Sequence, residues 1–329
     1  MIFSVDKPLL SIGSLGGTVS MSDASHGKGV TPRLDCEAML ASVPQLNALA
    51  RLRASTLCLL PSASLGFEQL LEVLCWAMTE VERGAHGVIL SQGTDTLEEV
   101  AYMLDLLWPF DTPLVLTGAM RAASHPGSDG PANMLAASQV ALDESSRGRG
   151  VLVVMNDEIH TAAKVRKTAS VAIAAFESPG YGPAGVLMEG TPDYHQAVDP
   201  RTVLPIPERT GHQVAILEAT LGADTRLLEA LPGLGYEGLV VAGFGAGHVS
   251  QAWADALQVL ARDMPVVVAT RTGSGATATA TYGFAGGEID LQAKGVHMAG
   301  ALCPRKCRVL LWLLVGSKMN GAVGGYFPR

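Results

Sequence analysis

Short, almost wholly apolar runs alternate along this chain with stretches of helical periodicity. The clearest are residues 9–13 (LLSIG), 87–91 (GVILS), 113–120 (PLVLTGAM) and 150–157 (GVLVVMND). Apolar runs of about 4–8 residues suit strands covered on both faces. Strands alternating with helices imply a parallel, doubly wound sheet. A further strand is read over 56–60, a short helix over 35–49, a helix over 67–81, and one from Pro131 at its first turn to Leu142. The pattern restarts at 214–217, 238–242 and 265–269, after a polar, proline-rich stretch. The expected fold is therefore α/β with two doubly wound domains. A larger N-terminal domain with a mostly parallel sheet covers 1–192, a linker 193–212, and a smaller C-terminal parallel sheet 213–329. A length of 329 residues fits two domains.

Charged residues make up only 16% of the chain, against a usual ~25%, so much surface is expected to be hidden in an oligomer. A net charge of -8 disfavours nucleic acid and anionic membranes as partners. The segment MIFSVDKP lacks the basic start and apolar core of a signal peptide. The longest apolar runs, such as VLLWLLV at 309–315, fall far below the ~18 residues that span a bilayer. The cytoplasm is the expected compartment. Of five cysteines, Cys303 and Cys307 have i,i+4 spacing, but no second pair follows, and neither metal nor cofactor is expected.

Chemistry concentrates at the strand ends. After residues 87–91 come Gln92, Gly93, Thr94, Asp95 and Thr96, then helical spacing at Val100, Met103, Leu104 and Leu107, stopped by Pro109. Thr96 and Glu99 fit a capping box. Thr94 and Asp95 then sit between a strand's carboxyl end and a helix's amino end, where open α/β sheets bind ligands and helix amides favour negative charge. Helix capping alone would also account for them. After residues 9–13 comes a glycine turn, Gly16-Gly17-Thr18, which lacks the third glycine of a dinucleotide loop. Ser14 misses a nucleophile elbow because Ile12 stands where glycine is required. Residues 243–248 resemble a phosphate loop but carry His248 at the third glycine. Residues 20–33, polar and glycine-rich, read as a mobile loop and a candidate lid. Thr18, Ser62, Thr94 with Asp95, and Lys167 thus lie at successive strand ends. No histidine is placed for a Ser-His-Asp triad. A hydroxyl nucleophile with a lysine base and backbone amides near Gly17 and Gly93 suits acyl transfer.

These motifs resemble the bacterial-type L-asparaginases and related glutaminase-asparaginases over nearly the whole chain. Gly16-Gly17-Thr18-Val19 is similar to TGGTI, with Leu15 for the leading Thr, and residues 92–99 to HGTDTMEE, with Gln92 for His. Residues 118–121 and 128–133 are similar to GAMR…SADGPxN; residues 150–157 also match, and Lys167 falls at the family's catalytic lysine. The resemblance implies hydrolysis of L-asparagine to L-aspartate and ammonia through an acyl-enzyme on Thr18. Thr94, Lys167 and Asp95 would form the supporting set, and Ser62 and Asp95 would hold the substrate's carboxylate and ammonium. It further implies a homodimer or homotetramer with the site shared between subunits, where His248 stands at the family's Asn and Glu288 is the nearest candidate for its Glu. Residues 20–33 contain no tyrosine, which the family carries on its lid, and Ala63 stands where Gln is common. Alternatives are an amidase for glutamine, D-asparagine or another small amide, and a non-catalytic amino-acid-binding protein.

Overall fold

The computed structural model describes residues 7–23, 30–32 and 34–327. Contacts divide the chain into two units, residues 1–203 and 204–329, so the division falls inside the stretch read as a linker.

In the first unit, β1 (Leu9–Ser14) runs into a short 3-10 turn, Thr18–Ser20. A small antiparallel hairpin follows, β2 (Met21–Asp23) with β3 (Val30–Pro32). The tip of the candidate lid, residues 24–29, lies outside the described residues. Residues 35–49 form two helices rather than one, α1 (Cys36–Ala41) and α2 (Leu46–Leu49). Pro44 between them lacks an N–H and disfavours helical backbone at Val43. Next come β4 (Arg51–Thr56), α3 (Phe67–Glu82), β5 (Gly87–Ser91), α4 (Leu97–Leu107), β6 (Leu114–Thr117), α5 (Gly130–Leu142) and β7 (Val151–Met155). The unit ends with β8 (Glu158–Thr161), the ribbon β9 (Arg166–Lys167) with β10 (Phe176–Glu177), β11 (Gly185–Met188) and β12 (Thr191–Tyr194).

The main sheet has the order β12-β11-β8-β7-β6-β5-β1-β4. Its strands from β4 to β7 are parallel, and β8, β11 and β12 continue it antiparallel. Leu10, Ile12, Ile89, Val115, Leu152 and Val154 point to one face, where they pack with Met39, Leu46, Met134 and Ala137 of α1, α2 and α5. The alternate residues Val88 and Leu90 face the other way and are fully buried. The chain runs outward one way from β1 to β4, then the other way through β5, β6 and β7. The order reverses between β1 and β5, and a doubly wound sheet opens its ligand crevice at such a switch point.

β4 corrects the reading of a strand over 56–60. It lies at the sheet's edge, with its ends exposed and its middle half-buried, so Arg51, Arg53 and Ser55 fit it and no apolar run marks it. Glu80 of α3, 1% exposed, holds this edge. It accepts from Ser11 Oγ (2.7 Å), Arg53 (2.7 Å) and Arg83 (3.1 Å). Burial alone would raise its pKa, but those three donors outweigh it and hold the carboxyl below its ordinary value. A group whose folded pKa is depressed contributes stability above its unfolded pKa, about 4.3, and loses it as pH falls. Urea midpoints measured from about pH 5 down to about pH 3 should therefore decline, and less steeply in Glu80→Gln.

The second unit has an all-parallel sheet in the order β13 (Gln213–Glu218), β14 (Tyr236–Gly243), β15 (Val266–Thr270), β16 (His297–Met298). Helices α6 (Arg226–Ala230), α7 (Gln251–Leu260), α8 (Glu288–Ala293) and α9 (Pro304–Gly316) cover it. Leu239, Val241, Val266 and Val268 pack with Leu228, Trp253, Leu257 and Leu291. The apolar run at 309–315 is α9, which lies on β13, β14 and β15. No described helix is long and apolar enough to cross a membrane.

Candidate active site

The site forms where the ends of β4, β1, β5 and β6 meet. Leu15 N donates to Ser91 O (2.9 Å), carrying the β1–β5 pairing past the strands. The chain then turns through Gly16 (φ 91°) and Gly17 (φ 82°), a left-handed region that side chains resist. Space makes the same demand. A Cβ on Gly17 would lie 2.0 Å from Gly93 N, and one on Gly93 would lie 2.7 Å from Ser62 Oγ. Three loops therefore meet closely at these glycines, and Thr18 follows directly from that contact, half-buried. A Cβ on Gly118, after β6, would meet Gln92 O at 2.7 Å and Thr94 Cγ2 at 3.2 Å.

A polar brace holds the Gly118 loop. Buried Asp129 accepts from Met120 N (2.9 Å) and Arg121 N (2.9 Å). Asn133 donates from Nδ2 to Gly118 O (3.0 Å), and its Oδ1 accepts from Asn156 N (2.9 Å). The GAMR and SDGPAN segments thus shape the wall beside Thr94.

At the head of α4, Thr94 is buried and the Asp95 side chain is 69% exposed. Lys167 Nζ donates to Thr94 Oγ1 (2.9 Å) and to Asp95 Oδ1 (2.8 Å). Lys164 stands only three residues before Lys167 in the sequence. Lys164 Nζ is bound elsewhere, to Asp199 Oδ2 (2.6 Å) and Gln196 Oε1 (3.2 Å). Ser62, 3% exposed, accepts from Asp95 N (3.2 Å) through Oγ. Thr96 departs from the capping-box reading. It is the N-cap residue but makes no side-chain cap bond, because its hydroxyl donates to Ser62 O (3.1 Å) and ties the β4 loop to α4. Gln92 is fully buried with Nε2 donating to Gly93 O (3.2 Å), and its Oε1 has no hydrogen-bond partner among the described groups.

Thr18, Thr94, Asp95, Lys167, Ser62, Gly17 and Gly93 thus belong to one cluster in the first unit. A hydroxyl next to a lysine amine, with backbone amides at a helix start, can deliver an alkoxide equivalent and bind an oxyanion. Glu98, which sequence reading passed over, also reaches the cluster, its carboxylate accepting from Lys167 N. A carboxylate in a helix's first turn reads as a favourable end charge, and that masked it.

His248 and Glu288 lie together in the second unit. Glu288 is fully buried; Oε1 accepts from Thr281 N and Tyr282 N (2.6 Å each), and Oε2 lies 3.3 Å from His248 Nε2. Burial opposes its ionisation, but the Tyr282 and Thr281 amides and the His248 ring hold its pKa below the ordinary value. The imidazole stands edge-on to Tyr282 and Phe284, with ring centres 4.8 Å and 5.1 Å away. Among the described residues no group of three or more His, Cys, Asp or Glu could hold a metal. Cys303 and Cys307 are both buried in the second unit.

Comparison with known proteins bears on this arrangement. Residues 10–199 match the family described as asparaginase, N-terminal, and residues 213–323 match the glutaminase/asparaginase C-terminal domain. The chain is 34% identical to a protein of Haemophilus influenzae named probable L-asparaginase periplasmic, over 98% of this chain and 93% of that one. It is 33% identical to L-asparaginase 2 of Escherichia coli, over 93% of this chain and 88% of that one. A crystal structure of a probable cytoplasmic L-asparaginase from Campylobacter jejuni superposes with a TM-score of 0.88 at 30% identity, covering 98% and 99% of the two chains.

Proposed function

The chain belongs to the asparaginase family of amidohydrolases, and from that premise we propose that it hydrolyses L-asparagine to L-aspartate and ammonia. It is a hydrolase of carbon-nitrogen bonds in linear amides. The finer reading rests on one observation, the Lys167 Nζ held between Thr94 Oγ1 and Asp95 Oδ1, on the loop whose Gly93 meets Gly17 of the Gly16-Gly17-Thr18 turn.

In this reading Ser62 and Asp95 hold the substrate's α-carboxylate and α-ammonium. Thr18 Oγ1 attacks the side-chain amide carbon, and its proton passes through the Thr94–Lys167 pair to the departing nitrogen. Amides around Gly17 and Gly93 stabilise the oxyanion that develops. The tetrahedral intermediate collapses, and the amide nitrogen takes a proton and leaves as ammonia, with an ester left on Thr18. Lys167, acting through the Thr94 hydroxyl it holds, then takes a proton from the water that attacks that ester and returns it to Thr18 Oγ1. Aspartate departs and the Thr18 hydroxyl is restored. A neighbouring subunit completing the site belongs to the same proposal, with His248 as the contributing group. Glu288, its carboxylate engaged with two amides, orients that ring.

Ammonia release from L-asparagine, L-glutamine, D-asparagine and succinamic acid tests the substrate. Release from L-asparagine above the others is expected. Preference for glutamine or D-asparagine would keep the chemistry and change the substrate. Thermal stabilisation by amino acids with no ammonia from any of them would favour a binding protein.

A further inference from the structure

We propose that Glu98 is a positioning residue for Lys167, clamping the backbone of the β9–β10 ribbon to the amino end of α4. This rests on the reading of Lys167 as the base.

Lys167 occupies an unusual element for a residue that must be held to a fraction of an ångström. β9 is two residues long, and its sheet partner is the equally short β10, through Phe176↔Lys167 and Glu177↔Arg166. A two-stranded ribbon has little stability of its own. A flexible lysine stem on a loose ribbon would wander, yet Nζ meets two acceptors at 2.9 Å and 2.8 Å. Something must fix the main chain beneath it.

Glu98 supplies that fixed point. It is the second residue of α4 and only 2% exposed, and its Oε2 accepts from Lys167 N. A carboxylate at that depth carries a desolvation cost that hydrogen bonds must offset. Its location makes it informative. Residues 94–98 are one short segment running into a rigid helix. The hydroxyl and carboxylate that receive Lys167 Nζ sit at its start, and the carboxylate that receives Lys167 N sits at its end. Both ends of the lysine are therefore registered to the same piece of backbone. A second tether serves the far strand of the ribbon. Ser178, directly after β10, lies with Oγ 3.0 Å from His160 Nδ1 on β8. Both residues are buried, and β8 belongs to the main sheet. The ribbon is thus fixed at β9 by Glu98 and beyond β10 by the main sheet.

The test compares Glu98→Ala, Glu98→Gln and Lys167→Met in the full-length enzyme. Ammonia release from L-asparagine is followed together with hydrogen–deuterium exchange. Displacing a reacting group by about 1 Å can cost about 10²-fold in rate. Glu98→Ala should therefore lose about that much kcat while KM stays near the wild-type value. Glu98→Gln keeps an oxygen that accepts from Lys167 N and should recover most of the loss. Exchange in Glu98→Ala should quicken over residues 164–178 while residues 100–107 of α4 stay protected. Wild-type kcat in Glu98→Ala, equal defects in both Glu98 variants, or lost protection throughout α4 would each overturn the clamp. Near-normal activity in Lys167→Met would instead remove the base assignment, and the exchange data would still report on the tether.

Discussion

Thr18→Ala should lower kcat for ammonia release from L-asparagine by about 10⁵- to 10⁶-fold, the scale of losing a nucleophile outright. At ~1.36 kcal/mol per factor of ten, that is roughly 7–8 kcal/mol of lost transition-state stabilisation. Folding should survive, because Thr18 is half-buried in a short turn whose shape is set by Gly16 and Gly17 before it. Binding should survive too, since the groups assigned to the amino-acid head, Ser62 and Asp95, stand on other loops. Thr18→Ala should therefore still gain thermal stability from L-aspartate. Steady-state rates combined with a thermal-shift titration separate a dead enzyme from an unfolded one. A variant with more than a few per cent of wild-type kcat would move the nucleophile to another hydroxyl.

Lys167→Met should cost about 10³-fold in kcat, within the 10²- to 10⁴-fold range of general acid–base catalysis. Methionine keeps most of the stem, which is 15% exposed, and removes the two bonds to Thr94 and Asp95. Lys164→Met is the matched control. Its nitrogen binds Asp199 and Gln196 instead, so its kcat should stay near wild type. Equal losses in the two variants would make the effect one of loop folding or net charge, not of a particular base.

Much of this is legible in the sequence, for a physical reason. β1, β5, β6 and β7 are buried on both faces, so their sequences are plain apolar runs. Gly16, Gly17 and Gly93 mark backbone that must touch other backbone, and composition betrays that directly. Edges and short pieces hid themselves. β4 is charged along an exposed edge, and β9 has two residues and no periodicity to detect. Thr96 and Glu98 show a deeper limit. Both suit a helix start on local rules, yet one bonds across to Ser62 O and the other to Lys167 N, 69 residues away. Local propensity cannot see a partner that folding brings from another strand. Glu288 likewise has non-local surroundings that no local pattern announces, with Oε1 accepting from the amides of residues 281 and 282 and Oε2 facing His248.

The central claim is a covalent ester on Thr18. Rapid acid quench of enzyme mixed with excess L-asparagine, followed by peptide mass spectrometry, tests it most directly. The account predicts a peptide containing Thr18 that gains the mass of asparagine less ammonia, appears before steady state, and is absent from Thr18→Ala. Turnover with no such adduct, or with the adduct on Thr94 or another residue, would contradict it.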